Sequence, residues 1–423
     1  MALITRISQN INMSLRLARP AALPISASAG DFLRHRHFSS VSDLLSNTSW
    51  HLPSPSSPIH TISVAHDRGH FSYSNLLDGE GRTSPTARFH VARDDLLHPL
   101  ANGNKARKLD ALLPLLRAYS ATDVVTCGGC QSAHAAALAA VYCAEMHIRP
   151  NLLLRGEQPQ VPTGYNLISL MFGNVTYASR SVYAHRSQML YDHAKEVAGP
   201  DGLVVWADDL ADSGWQEPES SDPSRRVVIV NEGAASAVAL LGVIRLINFL
   251  SESSSFGNAH QVHVVVDAGT GTTAVGIALG ALLLGLPWKV TAVMLADTIE
   301  VYREREKTLI SEFERVQKLD LPIQDSSYAV DRILNWVERS QPRKFGKVLN
   351  GEIERCCKIA QQTAVPLDPM YTLAAWDLAA SLSLDKSMDT EVLMVHTGGT
   401  LGMFGLAQRY PSSFSSHQGV SMI

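Results

Sequence analysis

Apolar, β-branched runs alternate with helix-length stretches along most of this chain. Asp123-Val124-Val125-Thr126 is followed by the alanine-rich Ala133 to Met146, Val227 to Val230 by Ser236 to Leu250, and Val262 to Val266 by Thr273 to Leu284. Val290 to Leu295 then leads to Thr298 to Gln317, and Val392 to Val395 closes the series, with Asn151 to Leu154 and Leu203 to Trp206 as further strands. Short strands that are apolar on both faces and separated by helices need crossover connections, which make parallel sheets covered on both sides. The expected class is therefore α/β and doubly wound, with ligands bound at the carboxyl ends of the strands.

A chain of 423 residues, 45% hydrophobic and only 18% charged, can bury a large core and has the size of two domains. The net charge of -4 without a basic block argues against nucleic acid or an anionic membrane surface as partner. Apolar stretches such as Ala278 to Pro287 fall short of the ~20 residues of a membrane helix. Five cysteines, an odd number in a long chain, do not make a disulfide framework and suit a reducing compartment. No ligand cluster for a metal is evident, and the expected ligand is a small molecule.

The N-terminus differs in kind. No Asp or Glu precedes Asp31, whereas Arg6, Arg16, Arg19, Arg34 and Arg36 and several serines do, and Ile4, Ile7, Ile11 and Leu15 share one helical face. Residues 1–40 have the composition of a mitochondrial transit peptide, cut near Phe38, with the chloroplast as the alternative destination. Residues 41–58, rich in Ser and Pro, are expected to be linker, and 208–226 a surface loop.

Several strand ends carry chemistry. Gly103-Asn104-Lys105-Ala106-Arg107-Lys108-Leu109 opens a helical pattern, and cationic neighbours would favour the neutral amine of Lys105, the form that attacks a carbonyl. A solvated basic helix start explains the same residues. Gly128-Gly129-Cys130-Gln131-Ser132 ends a strand before a helix, so Ser132 could meet a carboxylate or simply cap the helix. Cys127-x-x-Cys130 could be a redox pair, although the glycine-rich strand end accounts for it.

Asp267-Ala268-Gly269-Thr270-Gly271-Thr272-Thr273 combines backbone amides, hydroxyls and a helix dipole in an anion cup fit for one phosphate. The same residues match a dinucleotide fingerprint, Gly269-x-Gly271-x-x-Ala274, with Asp297 placed for a ribose. Asp368-Pro369-Met370-Tyr371-Thr372 is a rigid turn carrying a tyrosine, and His396-Thr397-Gly398-Gly399 another glycine turn. Tyr371 and His396 could equally be core residues.

Taken in order, Asn104-Lys105-x-Arg107-Lys108-Leu109, Gly128-Gly129-x-Gln131-Ser132, Gly269-Thr270-Gly271-Thr272-Thr273, Asp368-Pro369-x-Tyr371 and His396-Thr397-Gly398-Gly399 resemble the 1-aminocyclopropane-1-carboxylate deaminase and D-cysteine desulfhydrase family. That family lies within the tryptophan-synthase-β-like pyridoxal 5'-phosphate enzymes (fold type II). The resemblance implies a large cofactor domain at 59–107 and 227–423, a smaller inserted domain at 108–207, a cleft site between them, a small amino-acid substrate and a homodimer. It also implies that Lys105 is the Schiff-base lysine and Asn104 its neighbour. Gly269, Thr270, Gly271, Thr272 and Thr273 correspond to the phosphate cup, Ser132 and Tyr371 to catalytic groups, and Thr397 to a cofactor contact. The dinucleotide alternative gives no role to Lys105, Ser132 or the His396 turn.

Ala133 stands where the family has an asparagine, and Phe345 where it has a second tyrosine. Thr372 and Thr397 match the desulfhydrase branch rather than the deaminase branch, which carries a glutamate and a leucine there. The resemblance thus implies β-elimination from cysteine, D or L, to pyruvate, ammonia and sulfide. The deaminase activity, or a noncatalytic or redox protein retaining the fold, are the alternatives.

Overall fold

The computed structural model describes residues 40–65, 70–74, 87–101, 103–212, 224–253, 261–317, 330–385 and 390–415. The transit segment, Ser40 apart, and residues 213–223 of the expected surface loop lie outside them. Among the described residues twelve strands form two sheets. They are β1 (Ile59–Val64), β2 (Phe71–Ser74), β3 (Ala87–Ala92), β4 (Asp123–Gly129), β5 (Arg149–Arg155), β6 (Asn174–Ala178), β7 (Leu203–Trp206), β8 (Arg226–Val230), β9 (Val262–Ala268), β10 (Lys289–Met294), β11 (Leu334–Glu338) and β12 (Glu391–Val395). One sheet has the order β11-β10-β9-β12-β3-β1-β2 and the other β6-β5-β4-β8-β7.

The five-stranded sheet is wholly parallel. The larger one is mixed: β3 runs parallel to β12, but β1 pairs antiparallel with both β2 and β3. None of these first strands is buried along its whole length, so a search for apolar runs passes over them. A second difference concerns β8. The sequence grouped residues from 227 onward with the larger unit, yet β8 lies between β4 and β7 in the smaller sheet. Strand partners depend on crossover topology, which the residues of a single buried strand do not encode.

The linker expected at 41–58 is also structured. Val41–Asn47 is a helix capped by Ser40, whose Oγ accepts from Asp43 N, and Leu44 is fully buried. The segment after it docks on the helix Asn104–Ala118. Pro114, inside that helix, has no N–H to offer the carbonyl of Asp110. The backbone N–H of His51 donates to it instead at 2.9 Å, and Leu52 N donates to Asp110 Oδ1 at 2.7 Å. Arg245 then joins Asp110 at 2.8 Å and covers the Trp50 ring at 4.6 Å. Likewise Ala207–Leu210, which overlaps the start of the surface loop expected at 208–226, is a helical turn with Leu210 buried. Serine and proline content reports local stiffness, whereas docking is decided by the few apolar and hydrogen-bonding groups between them.

Candidate active site

In the larger sheet β9 lies between β10 and β12, and in the smaller sheet β4 lies between β5 and β8. Each is a place where chain connections depart to opposite sides, leaving a crevice at the carboxyl end. The cup Gly269–Thr273 follows β9, the His396 turn follows β12, and the turn to Ser132 follows β4. The two halves touch here. Gln131 Oε1 accepts from Tyr165 N at 3.1 Å, and the buried Tyr165 hydroxyl takes backbone hydrogen bonds from Gly399 and Leu401.

Lys105 sits in the first turn of Asn104–Ala118. Asn104 N donates to Thr397 O at 3.2 Å, pinning the helix start to the end of β12. Lys105 Nζ donates to Asn104 Oδ1 at 2.6 Å, and Asn104 Nδ2 donates to Thr273 Oγ1 at 3.0 Å. The amine and the cup are therefore one hydrogen-bonded unit. Burial lowers the Lys105 pKa, against the attraction of Asp267 and Asp368. The cause differs from the cationic neighbours expected from sequence. Arg107 turns away into a bidentate pair with Asp94, at 2.8 and 3.1 Å.

Lys108, one helical turn on and on the same face, reads in the sequence only as a cationic neighbour of Lys105, yet it reaches the cup. Its Nζ donates to Gly233 O at 3.0 Å and to Thr270 Oγ1 at 3.3 Å, and burial, then the charge of Lys105, lowers its pKa strongly.

Gly271 starts the helix Thr272–Leu283 with φ +89°, a conformation that aims successive amides into one concavity. Thr270 and Thr272 hydroxyls meet at 3.0 Å on its rim. Beneath it, Tyr302 ties two strand ends together: its hydroxyl donates to Ala268 O at 2.6 Å or Gly269 O at 2.9 Å and accepts from Leu295 and Ala296 N–H. The Tyr302 ring stacks on Trp336 with centroids 4.8 Å apart. A Cβ added to Gly271 would lie 3.1 Å from Trp336 and 3.2 Å from Tyr302, so the floor is closed against the glycine. Asp297 is bound to Arg305 at 2.8 Å, which occupies the carboxylate the dinucleotide alternative would need.

Tyr371 lies alongside the cup, its Cε1 3.4 Å from where a Gly269 Cβ would be, with its hydroxyl pKa raised by burial and then by Asp368 and Asp267. Phe345 packs edge-on against it with centroids 5.5 Å apart and is 43% exposed. Thr372 and Thr397 have other commitments. Thr372 Oγ1 donates to Asp368 Oδ2 at 3.0 Å and accepts from Asp368 N at 2.8 Å, and Thr397 Oγ1 donates to Asp267 Oδ1 at 2.6 Å. Burial pushes Asp267 up to about 6 and raises Asp368 as well. Neither acid stood out in sequence, because nothing local distinguishes an aspartate aimed into a crevice from one that caps a turn.

Ser132 caps its helix, accepting from Ala135 N at 3.2 Å. His396 is fully buried and satisfied: Nε2 faces Pro366 O at 2.8 Å and Nδ1 accepts from Gly398 N at 3.2 Å, so it joins two turns. Burial holds the Cys127 thiol up at about 12, the opposite of a redox-poised thiolate, and both Cys127 and Cys130 are free.

No family model matches the chain. A protein of Oryza sativa subsp. japonica, provisionally named a mitochondrial D-cysteine desulfhydrase, is 60% identical over 394 residues, covering 89% of this chain and 96% of its own. A protein of Arabidopsis thaliana named a bifunctional mitochondrial D-cysteine desulfhydrase/1-aminocyclopropane-1-carboxylate deaminase is 26% identical over 381 residues, 86% of each chain. The crystal structure of an ACC deaminase homologue superposes with a TM-score of 0.66 at 20% identity, covering 89% of this chain and 99% of the other. Fold and site together define a pyridoxal-phosphate enzyme of fold type II. The chain belongs to the 1-aminocyclopropane-1-carboxylate deaminase and D-cysteine desulfhydrase family.

The floor of the cup yields a prediction. Tyr302→Phe keeps the ring on Trp336 but takes the acceptor from Ala296 N–H and the hydroxyl proton from one of the two carbonyls, at about 1–3 kcal/mol for each group left unsatisfied, while Leu295 N still donates to Ala268 O at 3.2 Å. A lowered melting temperature with roughly tenfold weaker pyridoxal-phosphate binding is expected, read by titrating the cofactor-free protein. Weaker folding with unchanged cofactor affinity would show that the cup holds its shape without the clamp.

Proposed function

We propose that this chain releases sulfide from cysteine, with D-cysteine the principal substrate, yielding pyruvate and ammonia. The observation that carries the reading is the chain Lys105–Asn104–Thr273, which places a buried amine of lowered pKa beside a hydroxyl-lined anion cup. The relatives named as D-cysteine desulfhydrases support the substrate. The residues fit pyridoxal phosphate: Gly269 to Thr273 would hold its phosphate, with the Lys108 amine as a further hydrogen-bond donor beside Thr270, and Lys105 would hold its aldehyde carbon. When bound, the cofactor withdraws electrons from the substrate Cα.

The protein's own part is to bind, orient and move protons. Lys105, whose pKa burial lowers, is suited to accept the Cα proton. The Tyr371 hydroxyl, its pKa raised, keeps its proton and can donate it to the departing sulfur. Ser132, at a helix N-terminus, offers the carboxylate a hydroxyl and adjacent amides. Thr372 and Thr397 act on specificity through Asp368 and Asp267, and Phe345 presents an apolar edge where a hydroxyl would otherwise assist ring opening. A cleft between the units built on the two sheets, a homodimeric assembly and mitochondrial import by residues 1–40 complete the proposal. No helix among the described residues is long and apolar enough to cross a membrane.

The test is a sulfide and pyruvate assay on both cysteine enantiomers alongside ammonia release from 1-aminocyclopropane-1-carboxylate. Sulfide from D-cysteine with little ring opening is expected. Ring opening without sulfide from either enantiomer would overturn the assignment.

A further inference from the structure

Beyond Phe345 a cavity of about 430 Å³ opens at the carboxyl ends of β10 and β11. Arg339, Arg343, Lys344 and Lys347 line it, together with Phe345 and Met370, the neighbour of Tyr371. Its inner corner is short of negative charge. Arg339 and Arg343, with side chains only 11% and 5% exposed, share a single carboxylate oxygen, Glu352 Oε1, at 3.2 and 2.5 Å. The other oxygen of Glu352 accepts from Leu349 N at 2.9 Å. Arg343 Nε and Nη1 are buried and have no hydrogen-bond partner among the described residues.

A buried guanidinium with two unpaired donors is an unfavourable arrangement unless an acceptor completes it. Like-charge repulsion from Arg343 adds to burial in lowering the Arg339 pKa, against the attraction of Glu352, Asp368 and Asp377. The acidic residues on the lining do not supply the missing anion. Asp297 is held by Arg305, and Glu300 and Glu338 are exposed. Lys344 and Lys347 are exposed and pair with no carboxylate among the described residues.

We infer that this cavity is a binding site for a small carboxylate, flanked by Lys344 and Lys347 and met by the Arg343 guanidinium as it turns from the wall toward the cavity. A carboxylate matches the planar fork of a guanidinium better than a spherical halide does. The site is coupled to the neighbouring turn. Arg339 donates to Pro369 O at 2.6 Å and Met370 O at 3.4 Å, and Arg343 to Pro369 O at 3.3 Å. These carbonyls belong to the turn that positions Tyr371, so an anion that draws the guanidiniums toward the cavity alters the hold on that tyrosine. The carboxylate could belong to a separate effector or to the far end of a longer amino-acid substrate.

The test is calorimetric titration of the cofactor-loaded full chain with malonate at fixed ionic strength, with chloride as the control. One saturable malonate site per chain, absent with chloride, is expected. Lys344→Ala with Lys347→Ala should weaken it at least tenfold while leaving the melting temperature unchanged, since neither lysine supports the fold. Arg343→Met should abolish it. No saturable binding, or equal binding by the double lysine variant, would overturn the site. These outcomes are read without turnover and so stand apart from the sulfide assay. Among proteins that bind malonate and release sulfide, competition with cysteine would identify the far end of a substrate as the natural ligand, and a change in kcat at constant KM a separate effector.

Discussion

Lys105→Ala is expected to abolish sulfide release, by a factor of at least about 10³, while the protein stays folded. Lys108 does not substitute for the missing amine. Its Nζ is tied to Gly233 O and Thr270 Oγ1, on the phosphate side of the site. The visible absorption of a lysine-linked cofactor should vanish with the activity. In the cofactor-free protein the variant should also be less sensitive to pH. The folded-state pKa of Lys105 lies below its ordinary 10.5, so between those two values the unfolded chain binds more protons and wild-type stability rises with pH. That gain is lost as pH falls toward the folded pKa, and removing the amine removes this contribution. Denaturant titrations of both proteins at pH 7 and 10 would check it. A variant that retains both the absorption and the activity would transfer the Schiff-base role to another lysine.

Gly103→Ala should damage fold and site together. Gly103 adopts φ +69°, ψ −152°, a region that essentially only glycine occupies, at a cost of about 1–3 kcal/mol for any other residue. An added Cβ would also lie 1.9 Å from the carbonyl oxygen of Thr397 and 2.5 Å from Gly398 N, backbone atoms that cannot rotate aside. Relief requires the start of Asn104–Ala118 to leave the end of β12, carrying Lys105 away from Thr273. A loss of roughly 4 kcal/mol or more in unfolding free energy is expected, at the upper end for single substitutions. Gly285→Ala is the control. Its φ is +65°, but nothing lies within 4 Å of the added Cβ, so it should show the backbone cost alone. Equal denaturant midpoints for the two variants would mean that the contact with Thr397 costs nothing.

Much of the active-site chemistry was legible in the chain because it is local. A buried parallel strand reads as a short apolar run, and the glycine turn after it brings its own amides, hydroxyls and helix start. An anion cup at Thr270–Thr273 could therefore be suggested from contiguous residues, whereas the helix start at Lys105 read equally as a solvated basic turn and took its role from the resemblance. The short motifs had diagnostic value through their order along the chain.

What the chain could not reveal were relations between distant residues. That β8 pairs with β4, that β1 and β2 extend the larger sheet in antiparallel sense, and that His51 serves the carbonyl freed by Pro114 are matters of packing. The state of Lys105 changed its explanation for the same reason. Its sequence neighbour Arg107 points into a pair with Asp94, and burial in the crevice lowers its pKa, against Asp267 and Asp368 from far along the chain. Thr372 and Thr397 were identifiable by position, but only the tertiary structure showed their hydroxyls bound to those two acids. Sequence by itself determined which residue types stand at the strand ends, because strand, turn and helix start are contiguous. Tertiary structure decided which of them share a low-dielectric crevice, because charge, burial and hydrogen-bond partners there come from segments more than a hundred residues apart.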